Sequence, residues 1–182
     1  MSSLKLIALD GEDLAILSAH LQDAVVRVGD MVFLQREHRF ALLANRFDWE
    51  AAVKAEATAG GFPAPVQMAG ATPVAVGFAA TPGHPARAAA IGAPPCMRRR
   101  SGMHFERVIS ARLRGIDLSR KDAVLNLLAV SFEETDAPSG VVTLLFSGGG
   151  EVELTVECLE VGLQDLGPAW DAKGTPCHDA MA

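Results

Sequence analysis

The stretch DAVVRVGDMVFLQREHRFALLANRFDWE, Asp23–Glu50, decides the fold. Apolar and polar residues alternate in it between turn signals, the pattern of consecutive antiparallel strands. Val26 and Val28, then Met31 and Phe33, alternate with Arg27 and Val32. Gly29-Asp30 between the two runs predicts a turn or bulge, and Gln35–His38 a polar turn. Arg39–Trp49 then sets Phe40, Leu42 and Ala44 on one face and Ala41, Leu43, Asn45, Phe47 and Trp49 on the other. A run that is apolar on both faces is covered on both sides, so a central strand is expected here.

Working outward, Leu4–Leu9 predicts a short strand, and Asp10 a cap for the helix that follows, with Glu12 and Asp13 where the helix dipole favours negative charge. Leu14, Leu17, Leu21 and Ala24 recur at spacings of three and four and form one apolar stripe, with His20 at its edge. On the other side of the central stretch the composition changes. Residues 51–100 are mostly Ala, Gly and Pro and hold most of the ten prolines, so they predict a disordered insertion that cannot recover its ordering cost through burial. Arg98-Arg99-Arg100 reads as the solvated end of that linker.

Alternation resumes at Met103. His104–Leu113 predicts a half-buried strand with Phe105, Ile109, Ala111 and Leu113 inward; Arg107 interrupts the inward face and calls for a carboxylate partner or a ligand. Asp122–Glu134 begins with a possible helical turn and continues as a strand. Ala137-Pro138-Ser139-Gly140 is a turn. Val141–Phe146, Ser147–Gly150 and Glu151–Glu157 make a β-hairpin, Val152, Leu154 and Val156 inward and Glu151, Glu153 and Glu157 outward. Cys158–Leu166 reads as a helix, with Leu159, Leu163 and Leu166 on one face and Gly167-Pro168 as its stop. Trp170 is placed near the core, and residues 171–182 as a frayed tail.

The chain of 182 residues has 49% hydrophobic content, enough for a sizeable core, and a formal net charge of -6 with pI about 5.3. An acidic chain argues against a nucleic-acid partner, because phosphate binding draws on a basic surface. No run reaches the roughly 18 apolar residues of a membrane span, and the start lacks a signal-peptide core, so a cytoplasmic protein without a membrane partner is expected. Cys96, Cys158 and Cys177 are too widely spaced for a disulfide framework or a metal knuckle.

LKLIALD, LQDAVVRVGD, RFALLANRFDWE, HFERV, KDAVLNLLAVSFE, the GGG hairpin and VECLEVGLQDLGPAW together resemble the bacterial domain-of-unknown-function family 2948, over residues 4–50 and 98–170. The resemblance implies no activity, cofactor or catalytic residue. The fold expected is α+β: about seven or eight mainly antiparallel strands with one N-terminal and one C-terminal helix. That element order also suits a pleckstrin-homology-like closed sheet plugged by its terminal helix.

Chemistry is sparse in the sequence. Gly148-Gly149-Gly150 lacks the Lys and Ser/Thr of a phosphate loop and leads into an acidic strand. There is no G-x-S-x-G motif, the histidines at 20, 38, 84, 104 and 178 are scattered, and neither a cofactor nor a metal is expected. The remaining constellation is Arg46, Asp48 and Trp49 with His104 and Arg107. If the strand ending at Trp49 pairs with the strand beginning at Met103, these five meet at one sheet end, either as a site for an anionic or planar ligand or as a structural ion pair capped by tryptophan. Two functions follow as expectations: a non-catalytic protein-interaction or adaptor domain whose partner is another protein or itself, or a small-molecule binder or enzyme using those residues.

Overall fold

Asp10 takes extended backbone, and its side chain accepts the N–H of Asp13 at 2.8 Å, which starts helix α1, Gly11–Leu21. The helix follows strand β1, Lys5–Ala8, and buries Leu14, Leu17 and Leu21 as the stripe requires. The computed structural model describes residues 3–49 and 97–172. Strands β2 (Ala24–Leu34), β3 (Arg39–Phe47), β4 (Met97–Phe105), β5 (Val108–Arg114), β6 (Val124–Asp136), β7 (Ser139–Phe146), β8 (Glu151–Val156), β9 (Val161–Asp165) and β10 (Trp170–Asp171) complete the described part.

All pairings are antiparallel, in the order β1-β9-β4-β3-β2-β6-β7-β8-β5, with β10 added to the start of β4. Strands β2 and β3, from the stretch that decides the fold, do supply the middle of the sheet. Its Gly29-Asp30 is a bulge: Val26 stands opposite Ala44, but the next pair is Met31 with Leu42. Before the bulge β2 also pairs with β6; beyond it the strand keeps only β3. On β6, Ser18 of α1 accepts the N–H of Val130 at 2.9 Å, so the helix substitutes for a neighbouring strand there. The sheet curls around a single buried cluster that takes Ala8 from one end of the strand order, Val108 from the other, and the helix stripe.

The structure corrects several expectations. Among the described residues ten strands form, rather than seven or eight, and the C-terminal helix over Cys158–Leu166 does not. Leu159, Leu163 and Leu166 mimic a helical stripe, but Leu159, Val161 and Leu163 also alternate, and a short apolar run serves either period. Two open neighbours decide it: β9 bonds to β1 on one side and β4 on the other. The pleckstrin-homology-like analogy rested on the missing helix. Arg98–Arg100 do not end a linker; they lie in β4 opposite Phe47, Arg46 and Asn45. The run from His104 to Leu113 is two strands, broken where Arg107 takes φ 58°, and a register slip between Val108 and Ser110 turns Ile109 out to 50% exposure. In place of the expected helical turn at the start of Asp122–Glu134, the Ala123 N–H closes a turn on the Arg120 carbonyl at 2.9 Å and β6 begins at Val124. Trp170 stays 41% exposed, paired with Arg98 instead of buried in the core.

The expected hairpin is present as β7 and β8, its loop turning through Gly148 and Gly149 at φ 78° and 80°, where a side chain would be strained. Most of the expected insertion and tail lies outside the described residues. Among the described residues no helix is long and apolar enough to cross a membrane.

Candidate functional site: the outer face around His104

The five residues singled out from the sequence fall into two groups at opposite ends of one ladder. β3 and β4 do pair, but in antiparallel register, so Arg46 meets Arg99 while His104 meets Ala41. Arg46 points into the protein and is 1% exposed. Its Nε and Nη2 donate to Oδ1 and Oδ2 of Asp165 at 2.9 and 2.8 Å, and its Nη1 to the Phe47 carbonyl at 3.3 Å. Asp165 accepts further bonds from Ser101 Oγ at 2.7 Å and the Leu4 N–H at 3.0 Å. Burial pushes its carboxyl up, but these donors and the Arg46 charge outweigh that and hold it below the usual carboxylate value. Beside it, Arg99 Nε lies 2.6 Å from Asp48 Oδ2 and 3.9 Å from Asp165.

Two arginines and two aspartates therefore neutralise one another under the sheet and join β1, β3, β4 and β9. Trp49 packs on Phe47 with ring centroids 4.4 Å apart. Among the described residues its Nε1 and the Nδ1 of His20 find no hydrogen-bond partner; both are buried beside a hollow of about 290 Å³ lined by Ala19 and Gln22. The sequence does not reveal Asp165 or Arg99, because they stand within an expected helix and an expected linker end, and Ser101 carries no signal of its own.

His104 and Arg107 lie at the far end of the ladder. On the outer face, register places Val32, Ala41, His104, Gly162 and Ile7 in one row across β2, β3, β4, β9 and β1. The next row runs Leu43, Gly102, Gln164, Lys5. The His104 ring lies across Gly162, and a Cβ at 162 would overlap the imidazole. Leu166 folds across Gly102 in the same way, its Cδ1 3.3 Å from where a Cβ would stand. Small residues thus leave an open groove of about 600 Å³, floored by Ala41 and Gly102, with Val32, Leu34, Leu43 and Leu166 around it. Asp30, Arg39, His104 and Gln164 supply its polar margin.

Arg39 and His104 are also the near wall of a second, polar hollow of about 540 Å³. Glu37, Glu106, Glu157 and Glu160 line it, with His38 and Arg107. Arg39 Nε donates to Glu106 Oε1 at 2.7 Å, and His104 Nε2 is 3.8 Å from the same oxygen. Arg107 reaches Glu160 only at 4.0 Å. His38 and Arg107 both adopt left-handed backbone, φ 50° and 58°, and their carbonyls accept the N–H groups of Val108 and Glu157. The strained turns hold this corner where β4 passes into β5. Apart from His104 and Arg107, nothing in the sequence points here: Glu37 reads as a turn, Arg39 as the start of the central strand, and Glu157 and Glu160 as hairpin end and helix.

The family model described as "Protein of unknown function (DUF2948)" matches residues 4–70 and 86–178. The chain belongs to this family. No curated protein and no solved structure matches it. Among the described residues of this DUF2948 protein, no group of three or more His, Cys, Asp or Glu is placed to hold a metal ion. Cys158 is a half-buried free thiol. On the hairpin of the DUF2948 chain the acidic side chains are not all available: Glu153 pairs with Arg114 at 3.1 Å, whereas Glu157 lies at the polar hollow.

Proposed function

We propose that this DUF2948 chain is a non-catalytic interaction domain that engages another protein through the outer face of β2, β3, β4 and β9. One observation carries the reading. The charged side chains of the Arg46 cluster are engaged in ion pairs under the sheet, while the outer face keeps an open apolar groove with Val32 46% and Leu166 55% exposed. Apolar surface left open in this way, bordered by polar residues, is characteristic of a contact site. A bacterial, cytoplasmic setting belongs to the proposal, supported by the family resemblance and by cysteines too far apart in sequence for a disulfide framework. A pleckstrin-homology-like arrangement is no part of it.

The alternative is a small-molecule site, and it too has a supporting observation: the groove volume falls within the range of ligand pockets. Native mass spectrometry of the protein from the cells that make it separates the two. The expected result is a second polypeptide that is lost from the Val32→Asp/Leu166→Asp variant. A bound small molecule lost from the same variant would replace the interaction reading with the ligand reading.

A further inference from the structure

The apolar groove and the polar hollow share Arg39 and His104, so whatever lies in one reaches the rim of the other. Their chemistry is opposite. Leu166 already covers Gly102, and the remaining floor, Ala41, is too small to fill the groove, so it accepts a large apolar side chain between Val32 and Leu166. The hollow holds four glutamates against two arginines, a formal surplus of two negative charges with its histidines neutral. Among the described residues Glu157 has no ion-pair partner, and Glu160 has only Arg107, at the limit of pairing distance. A cation entering the hollow finds carboxylates that internal pairs do not satisfy; an anion would meet the surplus.

We infer that the partner presents a short segment carrying a bulky aliphatic or aromatic side chain and, a few residues away, a lysine or arginine. The apolar side chain lies over Ala41, between Val32 and Leu166, and the cation passes the Arg39 and His104 wall toward Glu157 and Glu160. The width supports a segment of this kind: from β2 to β9 is three strand spacings, about 14 Å, which four or five extended residues cross. An open trough of that length suits a chain laid across the strands better than an enclosed small ligand. This inference rests on the interaction reading above and specifies its partner.

The test is selection of a random peptide library displayed on phage against the full chain at neutral pH and low salt, with selected peptides then titrated as synthetic peptides. The expected consensus is a bulky apolar residue with a Lys or Arg within about five positions. Binding is expected to weaken roughly tenfold in Glu157→Lys/Glu160→Lys and tenfold or more in Val32→Asp/Leu166→Asp, both variants altering side chains at the surface. Added salt should weaken the wild type and not the glutamate variant. Selected peptides that need the groove but carry acidic or uncharged neighbours would overturn the stated chemistry and leave the interaction reading standing. No selection, or peptides indifferent to both variants, would overturn both. A concentration-dependent dimer abolished by Val32→Asp/Leu166→Asp would give the groove to a second copy and overturn the peptide.

Discussion

The two ends of the β3–β4 ladder carry similar side chains and use them in opposite ways. At one end Arg46, Arg99, Asp48 and Asp165 are withdrawn from water in close ion pairs; at the other His104, Arg107 and Glu160 lie at the surface in contacts of 3.8–4.0 Å beside the half-buried Arg39–Glu106 pair at 2.7 Å. Register makes the difference. Arg46 falls on the inward side of its strand, where a lone charge would be very costly, whereas the His104 row falls outward. The comparison teaches that the same residue types act as a structural clasp where solvent is excluded and as a recognition surface where it is not.

The comparison breaks most visibly if the buried end loses a partner. Asp165→Ala strands Arg46 under the sheet and should cost about 3–5 kcal/mol in urea unfolding, whereas replacing both partners with apolar residues, as in Arg46→Met/Asp165→Leu, should recover most of that loss. A small loss in the single variant would show that the cluster is hydrated rather than sealed.

Acid is a gentler way to weaken the same end, since a protonated Asp165 can still accept from Arg46. Its carboxyl is held below its ordinary value of 3.8. A group lowered on folding contributes its full stability above the unfolded value and loses it as pH falls through the folded one. Stability attributable to Asp165 should therefore be flat above about pH 5 and decline below about pH 4, a decline absent from Arg46→Met/Asp165→Leu. A matching decline in that variant would assign the acid sensitivity elsewhere.

At the outer end the expected effects are smaller. Gly162→Ala should cost about 1–3 kcal/mol because its Cβ displaces the His104 ring, and His104→Ala in the same chain should relieve most of it. Glu106→Gln, which weakens the half-buried contact with Arg39 but keeps a hydrogen-bond acceptor there, should change stability by less than about 1 kcal/mol. A larger change would move this end into the class of the buried one.

Much of the architecture was legible in local pattern. Alternation from Val26 to Phe47 located the sheet centre, the leucine stripe with Asp10 located α1, and the glycine loop located the β7–β8 hairpin, because each signal is settled by neighbours in sequence. Where local signals were ambiguous, pairing decided. Gly162 and the leucines around it fitted helix or strand, and only the open edges of β1 and β4 made the segment β9. The same pairing moved Asp165 next to Arg46 and Ser101, contacts separated by 119 and 64 residues.

The sequence by itself determined that the chain folds as an antiparallel sheet with an N-terminal helix around an apolar core, since the period of apolar residues and the caps are properties of neighbouring residues. The tertiary structure alone decided which charges are buried and which are offered to a partner. Antiparallel register sends Arg46 and His104 to opposite ends and opposite faces, and that register depends on strand pairings that no single stretch contains.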